Sequence, residues 1–356
     1  MNNKSKYFGI IAITVVFILA SCGNGTTGPV NGLSAGLYLG APGSLTNTSA
    51  PLAISGEPGA TVIDKALSYI NGRAGATYTM LIAADIPIAG SGSRALEKAN
   101  AKLTLIGMDT ERKISLTSAG MMFYVGSNPA LAGIELTLGE NITLEGFATN
   151  NNCVVHVDGA SFAMLPGSKI TRNISSGTAG ATHPAVYVRR DGSFTMQGGA
   201  ITGNSSTSTT TSSFSGGLFV DATGTTVTLA GGSITGNSGF AGDVSVSQNA
   251  SSIDISGNAE VGTLTLSASN VVCRSMAIAS DWTGSVTILN LRGANDTAAL
   301  PIANWVNKSV LTGTVNTITI GQITLGNFIY SNVSTPQHAI SDTHGLNATG
   351  VLIVKP

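Results

Sequence analysis

Apolar and polar residues alternate in short runs along most of this chain, and the runs return on a steady beat. One apolar-x-apolar strand recurs as "FYV" (123–125), "VHV" (155–157), "VYV" (186–188), "LFV" (218–220) and "VSV" (244–246). Its last residues, Val125, Val157, Val188, Val220 and Val246, are spaced by 32, 31, 32 and 26 positions. A second run follows each time: "LTL" (136–138), "FAM" (162–164), "FTM" (194–196), "VTL" (227–229) and "IDI" (253–255). A third, "ITLEG", "ITRN", "ITGN" and "ITGN", ends at Gly146, Asn173, Asn204 and Asn237. Alternation with period two predicts strands that bury one face. Three short strands between Gly-containing turns make one coil, and a recurring coil predicts a solenoid. The surplus "SSTSTTTSSFS" (205–215) reads as an insertion between coils.

The pattern changes at both ends. In "ATVIDKALSYINGR" (60–73), Val62, Ala66, Tyr69 and Ile70 fall on one helical face. A short amphipathic helix there suits a cap, since the first coil's open edge would otherwise invite strand addition. Extended segments follow at 77–83, 102–107, 113–118 and 121–126. After residue 290 the beat fades, and 301–313, 316–331 and "GVLIVKP" read as further strands or a closing cap, with Trp282 and Trp305 as plug residues. The expected organisation is a signal segment (1–22), a flexible tether (23–58), an N-terminal cap with the first coils (59–120), repeat coils (121–290) and C-terminal strands (291–356).

Within a coil, Val155/Val157, Val186/Val188 and Leu218/Val220 should point inward and stack at about 4.8 Å, the strand spacing. Val227, Leu229 and Ile234 should join them in the core. Asn173, Asn204 and Asn237 share one coil position. There their amides can hydrogen-bond from coil to coil, or the residues can serve as left-handed turn formers. Either role is structural.

Composition narrows the classes. The 356 residues include 45 Gly, are 42% hydrophobic and only 10% charged, with a net charge of −1. Disorder needs lower hydrophobicity and higher charge. Nothing electrostatic recruits nucleic acid. At the N-terminus, Lys4 and Lys6 precede an apolar stretch (8–20), short for a membrane span and ending in small residues, as a secretory signal does. The "LASC" at 19–22 resembles the lipobox of bacterial lipoprotein signals, which implies that Cys22 is the lipidated first residue of the mature protein and its link to a membrane. The "GNGTTG" at 23–28 matches a dinucleotide-binding spacing, but no strand precedes it once the signal is removed. Cys153 and Cys273 sit in apolar contexts that suit buried thiols, and sequence alone does not say whether they pair.

The unit "GG-LFV-…-TVTLAGGSITGN" resembles the coils of right-handed parallel β-helices of the pectin-lyase-like class, and more narrowly the repeats of bacterial surface lipoproteins. The resemblance spans roughly residues 75–290. It implies an all-β fold: a single-stranded right-handed parallel β-helix (solenoid) with a short N-terminal capping helix. Lyases, hydrolases, adhesins and proteins without activity share that fold, so function must come from a site.

The outward positions of the first strand carry the candidate chemistry. Tyr124, His156, Tyr187 and Phe219 place one ring per coil in register, the expected ligand-binding row. Asp158, Arg189 and Asp221 follow one per coil, the expected catalytic residues if there is an enzyme. Rings on rigid strands suit sugar faces, with the charged row taking hydroxyls. The competing reading is structural, since neighbouring rings contribute about 0.5–1.5 kcal/mol per pair. Lyases of the resembled fold hold Ca²⁺ in clustered carboxylates, and glycosidases need two carboxyls at a defined separation. Here no two acidic residues are adjacent, and Asp158, Arg189, Asp191 and Asp221 form a thin cluster. No metal-type Cys/His spacing or phosphate loop occurs. The expectation is a monomeric, non-enzymatic envelope lipoprotein without cofactor, binding a polysaccharide or host surface molecule. The alternatives are a degenerate lyase or glycosidase, for which alone Ca²⁺ would matter, and a purely structural spacer.

Overall fold

A computed structural model describes residues 32–126, 130–175, 183–206, 215–221, 224–239, 241–246, 252–267, 275–279, 281–292, 344–346 and 352–354. Cys22, Cys273, Trp305 and His338 lie outside them.

The chain winds into a parallel β-solenoid of about five turns, with one α-helix among the described residues. Three columns of stacked strands build it. The first runs through Ala95–Leu96, Phe123–Gly126, Val155–Asp158, Val186–Arg189, Leu218–Val220 and Val244–Val246, every pair parallel. Its register is the one the repeat predicts: Val157 pairs with both Val125 and Val188, and Val220 with Val188 and Val246. The second column passes from Thr77–Ile82 through Lys102–Gly107, Glu135–Leu138 and Ser161–Met164. The third passes from Ile86–Ile88 through Arg112–Leu116, Ile142–Glu145 and Lys169–Thr171. In the next two coils the second and third strands, expected as separate, run together as Ser193–Thr202 and Thr226–Ile234. The corner survives as register shifts at Gln197, where Gly199 takes φ +81°. Residues 344–346 and 352–354 pair antiparallel with each other.

Alternation explains the core. Val155, Val157, Phe162, Met164 and Ile170 from one coil stack on Val186, Val188, Phe194, Met196 and Ile201 from the next, all buried. The Phe162 and Phe194 rings lie 5.6 Å apart at 28°. Leu218, Val220, Val227, Leu229 and Ile234 are buried as expected. Trp282 is buried too, its indole N–H donating to the Ala259 carbonyl at 2.9 Å.

At the inner corner the asparagines form a ladder. The Asn173 backbone N–H donates to Asn204 Oδ1 (3.0 Å), and the Asn204 backbone and Nδ2 donate to Asn237 Oδ1 (3.1 and 2.9 Å). Two members were not foreseen. Asn150 Nδ2 donates to Asn173 Oδ1 at one end. At the other, buried Asp243 accepts from the Asn237 backbone, from Asn237 Nδ2 and from the Thr263 backbone. Burial raises the Asp243 carboxyl's pKa, against those donors. Asp243 occupies the position before the first strand, where other coils carry Val154, Ala185 and Gly217. A carboxylate among small apolar residues was the available signal.

The N-terminal end departs from expectation. Residues 23–58 were expected as a flexible tether. Instead Gly36–Leu39 forms a strand antiparallel to Thr77–Ile82, and Leu37, Tyr38 and Ile54 are buried. Those apolar side chains among Gly, Ser and Thr are enough to hold the segment down. The outer edge of this strand is met in turn, the Leu52 N–H donating to the Leu37 carbonyl at 2.6 Å. The helix Val62–Asn71 covers the rest, as predicted. Thr61 and Asp64 close a capping box at its start, and Ile63, Ala66, Leu67 and Ile70 face the core; of the expected face, Val62 is instead exposed and Tyr69 only partly buried. At its end Asn71 satisfies the first column's exposed edge, donating to the Ala95 carbonyl (2.8 Å) and accepting from the Glu97 N–H (3.1 Å).

Candidate functional site

Tyr124, His156 and Tyr187 stand opposite one another in adjacent strands, with Phe219 beyond Tyr187. The row is therefore real and in register. Ala95 bounds it at one end and Ser245 at the other. Strands about 4.8 Å apart leave little between successive rings, so the rings stack on each other. His156 lies 4.9 Å from Tyr187 at 21°, and Tyr187 lies 5.3 Å from Phe219 at 28°. Tyr124 meets His156 edge-on, at 5.2 Å and 73°.

This geometry bears directly on the expected sugar platform. A sugar stacks on a ring face, and the faces of His156 and Tyr187 are occupied by neighbouring rings. Phe219 is buried (4% exposed), while Tyr124, His156 and Tyr187 are half-buried. The alternation predicts which positions face outward; it does not show that rings at one-strand spacing consume one another.

The charged row is also tied inward. Asp158, expected at the surface, is 3% exposed. Its Oδ2 accepts from the Tyr124 hydroxyl (3.0 Å) and from Arg190 (3.2 Å), with Arg189 Nε at 3.8 Å. Arg190 was missed by the sequence reading, because it lies one residue past the strand. It reaches back through a turn in which Arg190 (φ 51°) and Asp191 (φ 60°) are both left-handed. Asp221 accepts from the Tyr187 hydroxyl at 3.2 Å, and the Arg189 guanidinium lies 5.9 Å from the Tyr187 ring centre, within cation–π reach. Gly126 occupies the place of Asp158 one coil earlier, at φ +120°; a Cβ there would run into the Asp158 carbonyl oxygen.

These contacts set the protonation states. Burial, then the hydrogen bond from its hydroxyl to Asp158, pushes the Tyr124 phenol up to about 12. Burial and the Asp221 charge push Tyr187 to about 12 as well. Burial lowers His156 to about 4, with Asp158 pulling the other way. At neutral pH the site therefore holds two protonated phenols and a neutral imidazole. Among the described residues, His156 Nε2 and Asp158 Oδ1 are buried without a hydrogen-bond partner. Asp158 lies one strand before Arg189, and Asp221 just past the strand after it.

A pH dependence follows from His156. Its folded pKa lies below the unfolded value near 6.5, so the unfolded chain binds the extra proton first. That contribution to stability is complete above pH 6.5 and is lost as pH falls through 4, about 3 kcal/mol in all. Urea midpoints at pH 7 and pH 4.5 should drop for the wild type and drop less for His156→Gln. A residual slope is expected from His183, which burial shifts the same way. Parallel drops in both proteins would contradict a buried neutral imidazole.

The other candidates are placed plainly. Cys153 is fully buried and a free thiol, its pKa pushed by burial to about 12. The backbone N–H of His183 donates to Ser175 Oγ at 3.1 Å. Among the described residues, no group of three or more His, Cys, Asp or Glu is arranged to hold a metal ion, and no helix is long and apolar enough to cross a membrane. Comparison with protein-family models, with curated proteins and with solved structures found no match.

Proposed function

We propose that this chain is a non-enzymatic envelope lipoprotein, anchored through an acylated Cys22, whose solenoid is a stiff polar scaffold on the membrane. The observation that carries the reading is the closure of the outward row upon itself. Its rings stack on one another, and its phenols are engaged by the two carboxylates that would otherwise be free for chemistry. The lipobox sequence supports the anchor, and one acyl chain alone would hold only marginally. Two assays test the proposal on the full-length protein. Cys22→Ser should move it from the membrane to the soluble fraction. Incubation with a polysaccharide panel, with and without Ca²⁺, should release neither unsaturated products nor new reducing ends. Activity that Asp158→Asn abolishes would overturn the non-enzymatic reading.

One observation favours a second reading, carbohydrate binding through hydrogen bonds rather than ring faces. Asp158 Oδ1 and His156 Nε2 lie two residues apart on one strand face, both without protein partners, beside two guanidiniums. Those two atoms are buried, so a hydroxyl-rich ligand would have to reach the site through the half-exposed Arg190 guanidinium. On a glycan array, signal from the wild type that Arg190→Ala removes would support this reading; Arg190 is half-exposed, so its loss leaves the core intact. Identical flat profiles leave the scaffold reading alone.

A further inference from the structure

We infer that the N-terminal cap is a membrane-contacting surface, and that the solenoid's first end rests against the lipid bilayer rather than standing away from it. The inference rests on the anchor at Cys22 proposed above. Only ten peptide units separate Cys22 from Gly32, where the described chain begins. Fully extended, ten residues span at most about 35 Å, roughly a quarter of what the expected 36-residue tether would have reached. The folding of residues 33–58 onto the first coil therefore brings the cap close to the acyl chains.

The cap's surface fits that neighbour. Among the described residues the exposed large apolar side chains are Leu39 (61%), Val62 (39%) and Leu131 (42%), and two of the three belong to the cap. Val62, the first residue of the helix, flanks the buried face and is open to solvent. Exposed Ala50, Pro51, Ala53 and Ala60 extend the apolar area around a groove of about 440 Å³. Charge does not oppose contact. The two acids between residues 33 and 65 are both neutralised, Glu57 by Arg73 at 3.0 Å and Asp64 by Arg94 at 2.7 Å. Lys65, whose ammonium donates to the Ser55 carbonyl, adds a cation at the groove, favourable beside anionic headgroups. Exposed apolar side chains with a cation among them suit the headgroup–acyl boundary.

The test uses the full-length lipidated protein in vesicles whose phosphatidylcholine is brominated high on the acyl chains. Leu39→Trp and Val62→Trp report from the cap, and Leu131→Trp from the flank of the solenoid. Each is read as emission above the wild type's own tryptophans. The expected result is at least a twofold loss of the added emission at both cap positions, relative to unbrominated vesicles, and no loss at Leu131→Trp. Unquenched cap reporters on protein that does co-sediment with vesicles would overturn the docking while leaving the anchor standing. Protein that stays in the supernatant would overturn both. Equal quenching at all three positions would show the solenoid lying flat, and would overturn contact through the cap alone.

Discussion

Asn204→Ala should sharply lower the urea midpoint of unfolding. The side chain of Asn204 works in both directions. Its Oδ1 accepts from the buried Asn173 N–H, and its Nδ2 donates to Asn237 Oδ1, to the Ile170 carbonyl and to the Thr202 carbonyl. Asn204 and Asn173 are 1% and 0% exposed, so water cannot replace the lost partners. Each buried polar group left unsatisfied costs about 1–3 kcal/mol. The Asn173 N–H loses its only side-chain acceptor, and the carbonyls keep other lone pairs. A total of about 3–5 kcal/mol is therefore expected, at the top of the range for single substitutions. Asn204→Asp makes the sharper comparison, because it keeps the acceptor and loses the Nδ2 donor. If both variants unfold within about 1 kcal/mol of the wild type, the ladder does not hold the corner.

Phe194→Ala should cost a similar amount for a different reason. Phe194 is fully buried between Phe162 of one coil and Val227 of the next. Truncating a buried phenylalanine removes its transfer free energy and leaves a cavity, about 3–5 kcal/mol together. A solenoid interior collapses poorly around a void, since each strand is held in register on both sides. The stack with Phe162 adds a coupling that a double-mutant cycle should read as about 0.5–1.5 kcal/mol. A cycle with no coupling would mean that the two rings act only as independent apolar volume.

The repeat was legible because it is redundant. Val125, Val157, Val188, Val220 and Val246 say the same thing five times, and every pairing in their column follows that register. The asparagine ladder was legible for the same reason, apart from its ends. Asn150 and Asp243 escape because a ladder's terminal members must satisfy a different neighbour, and so break the repeat. The packed segment 33–58 was hidden by its Gly, Ser and Thr content, although Leu37, Tyr38 and Ile54 were there to be read. The outward row was legible as a position but not as an environment. Facing out of a strand does not mean facing water when the side chain is a ring and its neighbour is one strand away.

The two sealed columns at the first edge have a consequence for assembly. A strand that ends a parallel stack offers unpaired peptide groups, and a second molecule could continue the column from them, giving a head-to-tail filament. At this end the second column finishes in an antiparallel strand whose own outer edge is met by Leu52. The first column finishes against the amide of Asn71, which takes one carbonyl and offers one acceptor. An incoming copy would find the direction reversed in the second column and the partners already taken in the first. Growth through those two columns is thereby closed off, and crowding many copies on one surface does not by itself convert them into a fibre through them.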